Sequence, residues 1–183
     1  MNRRQLLAGS AVLASGWATP AAWAVLGTRP ELAGMLPEHR LLGSARLSVY
    51  GFKVYDSRLW VPPVFSGDSF ASHPFALELD YLREFKNAAI ADRSLAEMRR
   101  FDIFTDEQAN IWREAMLRVI PNVKKGDRII GVNRPGEGVT FWVNGQRSGD
   151  VPDAEFARLF FGIWLSPKTS QPKMRAALLA VAS

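Results

Sequence analysis

The 183-residue sequence contains no cysteine and only two histidines. The first absence excludes disulfides, thiolate zinc sites and cysteine nucleophiles, so the fold must stand on its hydrophobic core. The histidines lie far apart, His39 within Pro37-Glu38-His39-Arg40 and His73 just before Pro74. Neither adjoins a serine in a strand-turn-helix setting or a carboxylate cluster, which argues against a Ser-His-Asp hydrolase and against a metal centre. Gly136 and Gly138 flank Glu137 in what reads as a hairpin turn with no helix behind it, so no phosphate loop is expected. No cofactor is expected either. The formal net charge is +5, but basic residues are scattered among acids, as in Asp92-Arg93 and Lys125-Gly126-Asp127-Arg128. A nucleic-acid binder would gather them on one face, so no nucleic-acid partner is expected.

Long apolar runs are also missing. The most apolar stretch, Leu6 to Ala18, is interrupted by glycine and serine and falls short of the roughly 20 residues a membrane-spanning helix needs. It follows a basic start, Met1-Asn2-Arg3-Arg4, and precedes Thr19-Pro20-Ala21-Ala22-Trp23-Ala24, where Ala22 and Ala24 give a small-x-small cleavage pattern. Residues 1–24 therefore read as an export signal cleaved after Ala24, with an uncleaved anchor as the other reading. Arg3-Arg4 before Leu6-Leu7 resembles a twin-arginine signal, and a Sec signal fits as well. A lipobox is excluded for want of cysteine. The expected location is the periplasm or another exported compartment, with no membrane span after cleavage. Residues 25–183 are then one domain of ordinary size.

Along that domain, Val25 to Pro37 shows no clear period and is expected to run over the surface. From Leu41, apolar and polar residues alternate on either side of Gly51, reading as two antiparallel strands or one long strand with a bulge, ended by Pro62-Pro63. Phe75, Leu77, Leu79 and Tyr81 alternate with Glu78 and Asp80 in a third strand. Helical spacing follows over Asn87 to Phe101. Thr105-Asp106-Glu107-Gln108 is a capping box for a helix with Ile111, Trp112, Ala115, Met116 and Val119 on its apolar stripe, stopped by Pro121. Three short strands are expected at Arg128–Asn133, Val139–Val143 and Gln146–Asp150, the last two joined by the hairpin signal Asn144-Gly145. Asp153 can cap a helix through Phe156 and Trp164, and Ser170 a final one from Pro172 to Ala182. The order βββααβββαα predicts an α+β fold, an antiparallel sheet with a layer of helices on one face.

Five blocks in this order resemble the bacterial chalcone isomerase-like family: Gly43 to Trp60, Phe75 to Tyr81, Ile90 to Met98, Val123 to Asp127 and Phe161 to Pro167. Together they span about Leu41 to Leu179. The resemblance implies a ligand cleft between an antiparallel sheet and its helices. The family holds enzymes that close a chalcone to a flavanone, and non-catalytic members, some of which bind fatty acids. In the enzymes an arginine on an early strand attracts the phenolate, while a threonine and a tyrosine organise water and the ketone oxygen. By position Arg46 is the counterpart of that arginine, Tyr55 stands near the threonine and Arg93 near the tyrosine. The altered polar set favours a ligand carboxylate over flavanone chemistry.

Arg46, Tyr55, Tyr81 and Arg93 are accordingly the candidate ligand-binding residues, and Arg46 with Tyr55 the catalytic pair if the protein is an intramolecular lyase. Each also has an ordinary reading. Arg46 faces solvent if Ala45 and Leu47 face the helices, Tyr55 and Tyr81 can be core, and Arg93 can pair with Glu97 one helical turn on. Trp112, Trp142 and Trp164 are expected in the core. The leading expectation is a cleft for a small amphipathic acid, fatty-acid-like or polyphenol-like, with at least one guanidinium reaching into it. The alternatives are a chalcone isomerase-type enzyme and a non-catalytic partner of another envelope protein, and the oligomeric state stays open.

Overall fold

The computed structural model describes residues 29–181; the export signal expected at 1–24 lies outside them. Six strands form one antiparallel sheet in sequence order: β1 (Arg40–Val49), β2 (Phe52–Val61), β3 (Phe75–Tyr81), β4 (Arg128–Arg134), β5 (Gly138–Val143) and β6 (Gln146–Val151). Among the described residues four α-helices accompany the sheet: α1 (Asn87–Met98), α2 (Asp106–Val119), α3 (Ala154–Leu165) and α4 (Pro172–Leu178). Among the described residues, no helix is long and apolar enough to cross a membrane.

The register lines up one apolar face across the sheet. Tyr55 pairs with Tyr81, Ser57 with Leu79 and Leu59 with Leu77, so the alternation read in β3 continues across the sheet. The helices cover this inner face. Phe75 meets Phe161 of α3 edge-on with ring centroids 4.7 Å apart, and Phe156 stacks on Phe160 at 5.2 Å. Two helix starts follow the sequence closely. Thr105 Oγ1 accepts the Gln108 N–H, and Asp153 Oδ1 accepts the Phe156 N–H while its Oδ2 takes the Trp112 Nε1–H. The open choice at Gly51 resolves as a hairpin, since Tyr50 and Gly51 both adopt positive φ, 49° and 80°, as a two-residue turn requires.

Three expectations are corrected. Helix α1 ends at Met98 rather than Phe101. Helix α4 ends at Leu178 rather than near Ala182, because Ala180 turns into the left-handed region at φ 52°. Its N-cap is Gln171, and it is Thr169, not Ser170, whose hydroxyl accepts the Gln171 N–H.

The segment before β1 does more than run over the surface. Leu32 and Leu36 are fully buried on the outer face of the sheet against Trp60, Ala76, Ile130 and Val132. Beside them Glu78 has no exposed surface. Arg29 grips both of its oxygens at 2.6 and 2.7 Å, Arg58 donates to Oε1 at 2.9 Å, and Trp60 Nε1 to Oε2 at 2.9 Å. Such a carboxylate can stay buried because its acceptor sites are filled by charged or indole donors. Trp142 packs on this outer side, partly buried, rather than in the main core.

Candidate functional site

A cleft of about 560 Å³ opens between the inner face of the sheet and helices α1 and α3. This lies within the range of roughly 300–1,000 Å³ typical of small-molecule sites. Alternation places its floor: Leu47, Tyr55, Leu79, Ile129 and Phe141 point inward from successive strands. Ile90 of α1 and Phe160 of α3 close the other side. At Gly131 the missing side chain lets Phe161 lie close to the strand; a Cβ there would stand 3.3 Å from its ring.

The polar groups of the cleft are few and grouped. Tyr55 OH accepts a hydrogen bond from Trp164 Nε1 at 3.0 Å. No protein acceptor takes the Tyr55 proton among the described residues, so this phenol can donate to a ligand. Burial pushes its pKa up to about 12, with the Glu97 carboxylate adding to the rise while the Trp164 bond and Arg93 work against it. The phenol is therefore a neutral donor at any working pH, and neither a base nor a nucleophile. Tyr81 meets Tyr55 edge-on at 5.9 Å and is also shifted upward, first by burial and then by its neighbour. On α1, Arg93 donates to Glu97 Oε1. The other Glu97 oxygen is buried with no hydrogen-bond partner, Arg100 Nε approaching only to 3.6 Å. Among the described residues, no three histidine or carboxylate side chains gather as a metal site.

Three of the four candidate residues meet here. Tyr55, Tyr81 and Arg93 all line the cleft. Arg93 also makes the ion pair with Glu97 that their spacing allows. Arg46 does not join them. Its neighbour Leu47 points into the cleft, so alternation turns Arg46 to the outer face, where Asp56 on β2 binds it through two bonds of 2.6 and 2.8 Å. The guanidiniums at the cleft are instead those of Arg93 and, at its mouth, Arg83 stacked over Phe52. Sequence reasoning also took Trp164 for plain core. Its indole N–H, which seeks a partner when buried, was the available signal.

The sequence pattern of the chalcone isomerase-like family matches residues 40–180. No curated protein sequence matches the chain. Among solved structures, a fatty-acid binding protein of Arabidopsis thaliana superposes with a TM-score of 0.60 at 14% identity, over 78% of this chain and 87% of its own. That likeness is one of fold. The family pattern runs from the first residue of β1 to just beyond α4, and the chain belongs to the chalcone isomerase-like family.

Proposed function

We propose that the protein binds a fatty-acid-like amphipathic acid in the cleft between sheet and helices. The observation that carries this reading is the pairing of a long apolar wall with a small polar group whose Tyr55 proton has no protein acceptor. An acyl chain packs against Leu79, Ile129, Phe141 and Phe160, and its head accepts from Tyr55 beside the Arg93–Glu97 pair. The printed function of the Arabidopsis neighbour, fatty-acid binding, supports the ligand class. Native mass spectrometry of the protein purified from its host tests this directly. A co-purifying acid is expected, and protein recovered empty that also fails to bind a fluorescent fatty acid would refute it.

One observation favours a second reading, isomerisation of a chalcone: a neutral, buried phenol suits stabilisation of a developing ketone oxyanion. Against it, Arg46 lies on the far face and Arg93 is already paired, so of the guanidiniums at the cleft only Arg83 at its mouth is left to attract the phenolate. Loss of chalcone absorbance well above the spontaneous rate, abolished in Tyr55→Phe, would establish the enzyme.

Export is part of the proposal and rests on the basic, apolar and small-x-small order of residues 1–24. Cell fractionation with N-terminal sequencing is expected to find Val25 as the first residue outside the cytoplasm.

A further inference from the structure

Among the described residues, two tight hairpins have both turn residues at positive φ. In the β5–β6 hairpin these are Asn144 and Gly145, at 50° and 83°, the pair this turn ordinarily uses. In the β1–β2 hairpin the same conformation is imposed on Tyr50, at 49°, ahead of Gly51 at 80°. A tyrosine gains nothing locally from the left-handed region, unlike asparagine, and a bulky residue held there points to a function for its side chain. Nor does packing explain it: Tyr50 is 96% exposed, with Phe52 at 61% and Val49 at 43% beside it. Three apolar side chains thus stand in water at one tip, and all three border the mouth of the cleft.

The exposed charges on the mouth and next to its lining residues in sequence are mostly of one sign. Lys53 follows Phe52, Arg83 lies over the Phe52 ring at 4.9 Å from its centroid, and Lys86 stands one residue beyond the cleft-lining Phe85. Glu84 is the acid among them. Exposed aromatic and aliphatic side chains ringed by basic ones are what an anionic bilayer surface accepts, the rings entering the headgroup region and the cations meeting its phosphates.

We propose that the β1–β2 hairpin tip docks on an anionic lipid surface, so that the mouth of the cleft faces the bilayer and the ligand passes between them. The passage rests on the acyl-ligand reading of the cleft; the docking does not. Absence of native cysteine allows a single reporter to be placed at will. Ser48→Cys, exposed on β1 beside the tip, and Gln146→Cys, exposed at the opposite edge of the sheet, each carry an environment-sensitive fluorophore on the full chain. With vesicles of phosphatidylglycerol and phosphatidylcholine, the label at 48 is expected to brighten and shift to the blue while that at 146 stays unchanged. Adding Tyr50→Asn, which restores the ordinary turn residue, is expected to abolish the change, and added salt to weaken it. No response at 48, an equal response at 146, or a response that survives Tyr50→Asn would overturn the docking. A dimer seen by light scattering and dissolved by Tyr50→Asn would assign the tip to a second copy of the chain and overturn it too. Fatty-acid binding in solution is scored separately. Its absence alongside a vesicle response refutes the cleft reading, and its presence without a vesicle response refutes the docking alone.

Discussion

Tyr55 is both anchored and available: its oxygen takes the Trp164 indole N–H, and its own proton remains for a ligand. Tyr55→Phe removes both bonds while keeping the ring. Affinity for a fluorescent fatty acid is expected to fall about five- to tenfold, and stability in urea by about 1 kcal/mol, as Trp164 loses its acceptor. Arg46→Ala makes the opposing case. Its partner Asp56 is on the outer face, so affinity should stay within about twofold of wild type, an exposed ion pair being worth little. A loss as large as that of Tyr55→Phe would mean the head group binds elsewhere than in the cleft. At this scale the sequence was half legible. The alternation around Leu47 already carried the outward orientation of Arg46, but matching it by position to an arginine in relatives pointed the other way. Nothing local revealed that Trp164 and Tyr55, 109 residues apart, share a hydrogen bond.

Helix α4 lies on β1 so closely that Gly43 has no room for a side chain. A Cβ there would stand 2.2 Å from the Ala177 carbonyl oxygen and 2.5 Å from that of Leu178. Both are backbone atoms at the end of a helix and cannot swing aside, so Gly43→Ala should destabilise the protein by about 1–3 kcal/mol, read as a lower urea midpoint. The β1–β2 hairpin predicts the reverse sign. Tyr50→Asn puts a residue tolerant of left-handed φ at that position and should leave stability unchanged or raise it by up to about 1 kcal/mol. Elements themselves were largely readable: six strands, four helices and two caps follow from period, Thr105 and Asp153. The end of α4 was not. Ala177 to Ala182 read as good helix, and the left-handed turn at Ala180 comes without the glycine that usually marks one.

Across the whole molecule, the sheet separates an open face from a sealed one. The sealed face is held by Glu78. Burial alone would raise its pKa, but the bonds from Arg29 and Trp60 and the charge of Arg58 outweigh that and keep it below its ordinary value of 4.5. A depressed folded-state pKa means the unfolded chain takes up the proton first as pH falls. The stabilisation is therefore complete above about pH 5 and is lost as pH drops below 4.5 toward the folded value. Asp56, held down chiefly by Arg46, shifts in the same sense. Urea midpoints should be flat from pH 8 to 5 and decline below. Glu78→Ala should remove much of that acid dependence and cost about 1–3 kcal/mol, since it leaves the buried Trp60 N–H without an acceptor and takes the carboxylate from half-buried Arg29, while Arg58 keeps Asp80.

Chain periodicity by itself determined the α+β class, the order of elements and the inward set of the third strand, because alternation and helical spacing are properties of neighbours in sequence. The likeness of five ordered blocks added the family. What only the tertiary structure decided was the contact between distant segments: Leu32 and Leu36 sealing the outer face, three donors converging on Glu78, and Tyr55 meeting Trp164. Those depend on register and on how helices settle against the sheet. A cleft is likewise space left between layers, and no local pattern of residues records where packing stops short.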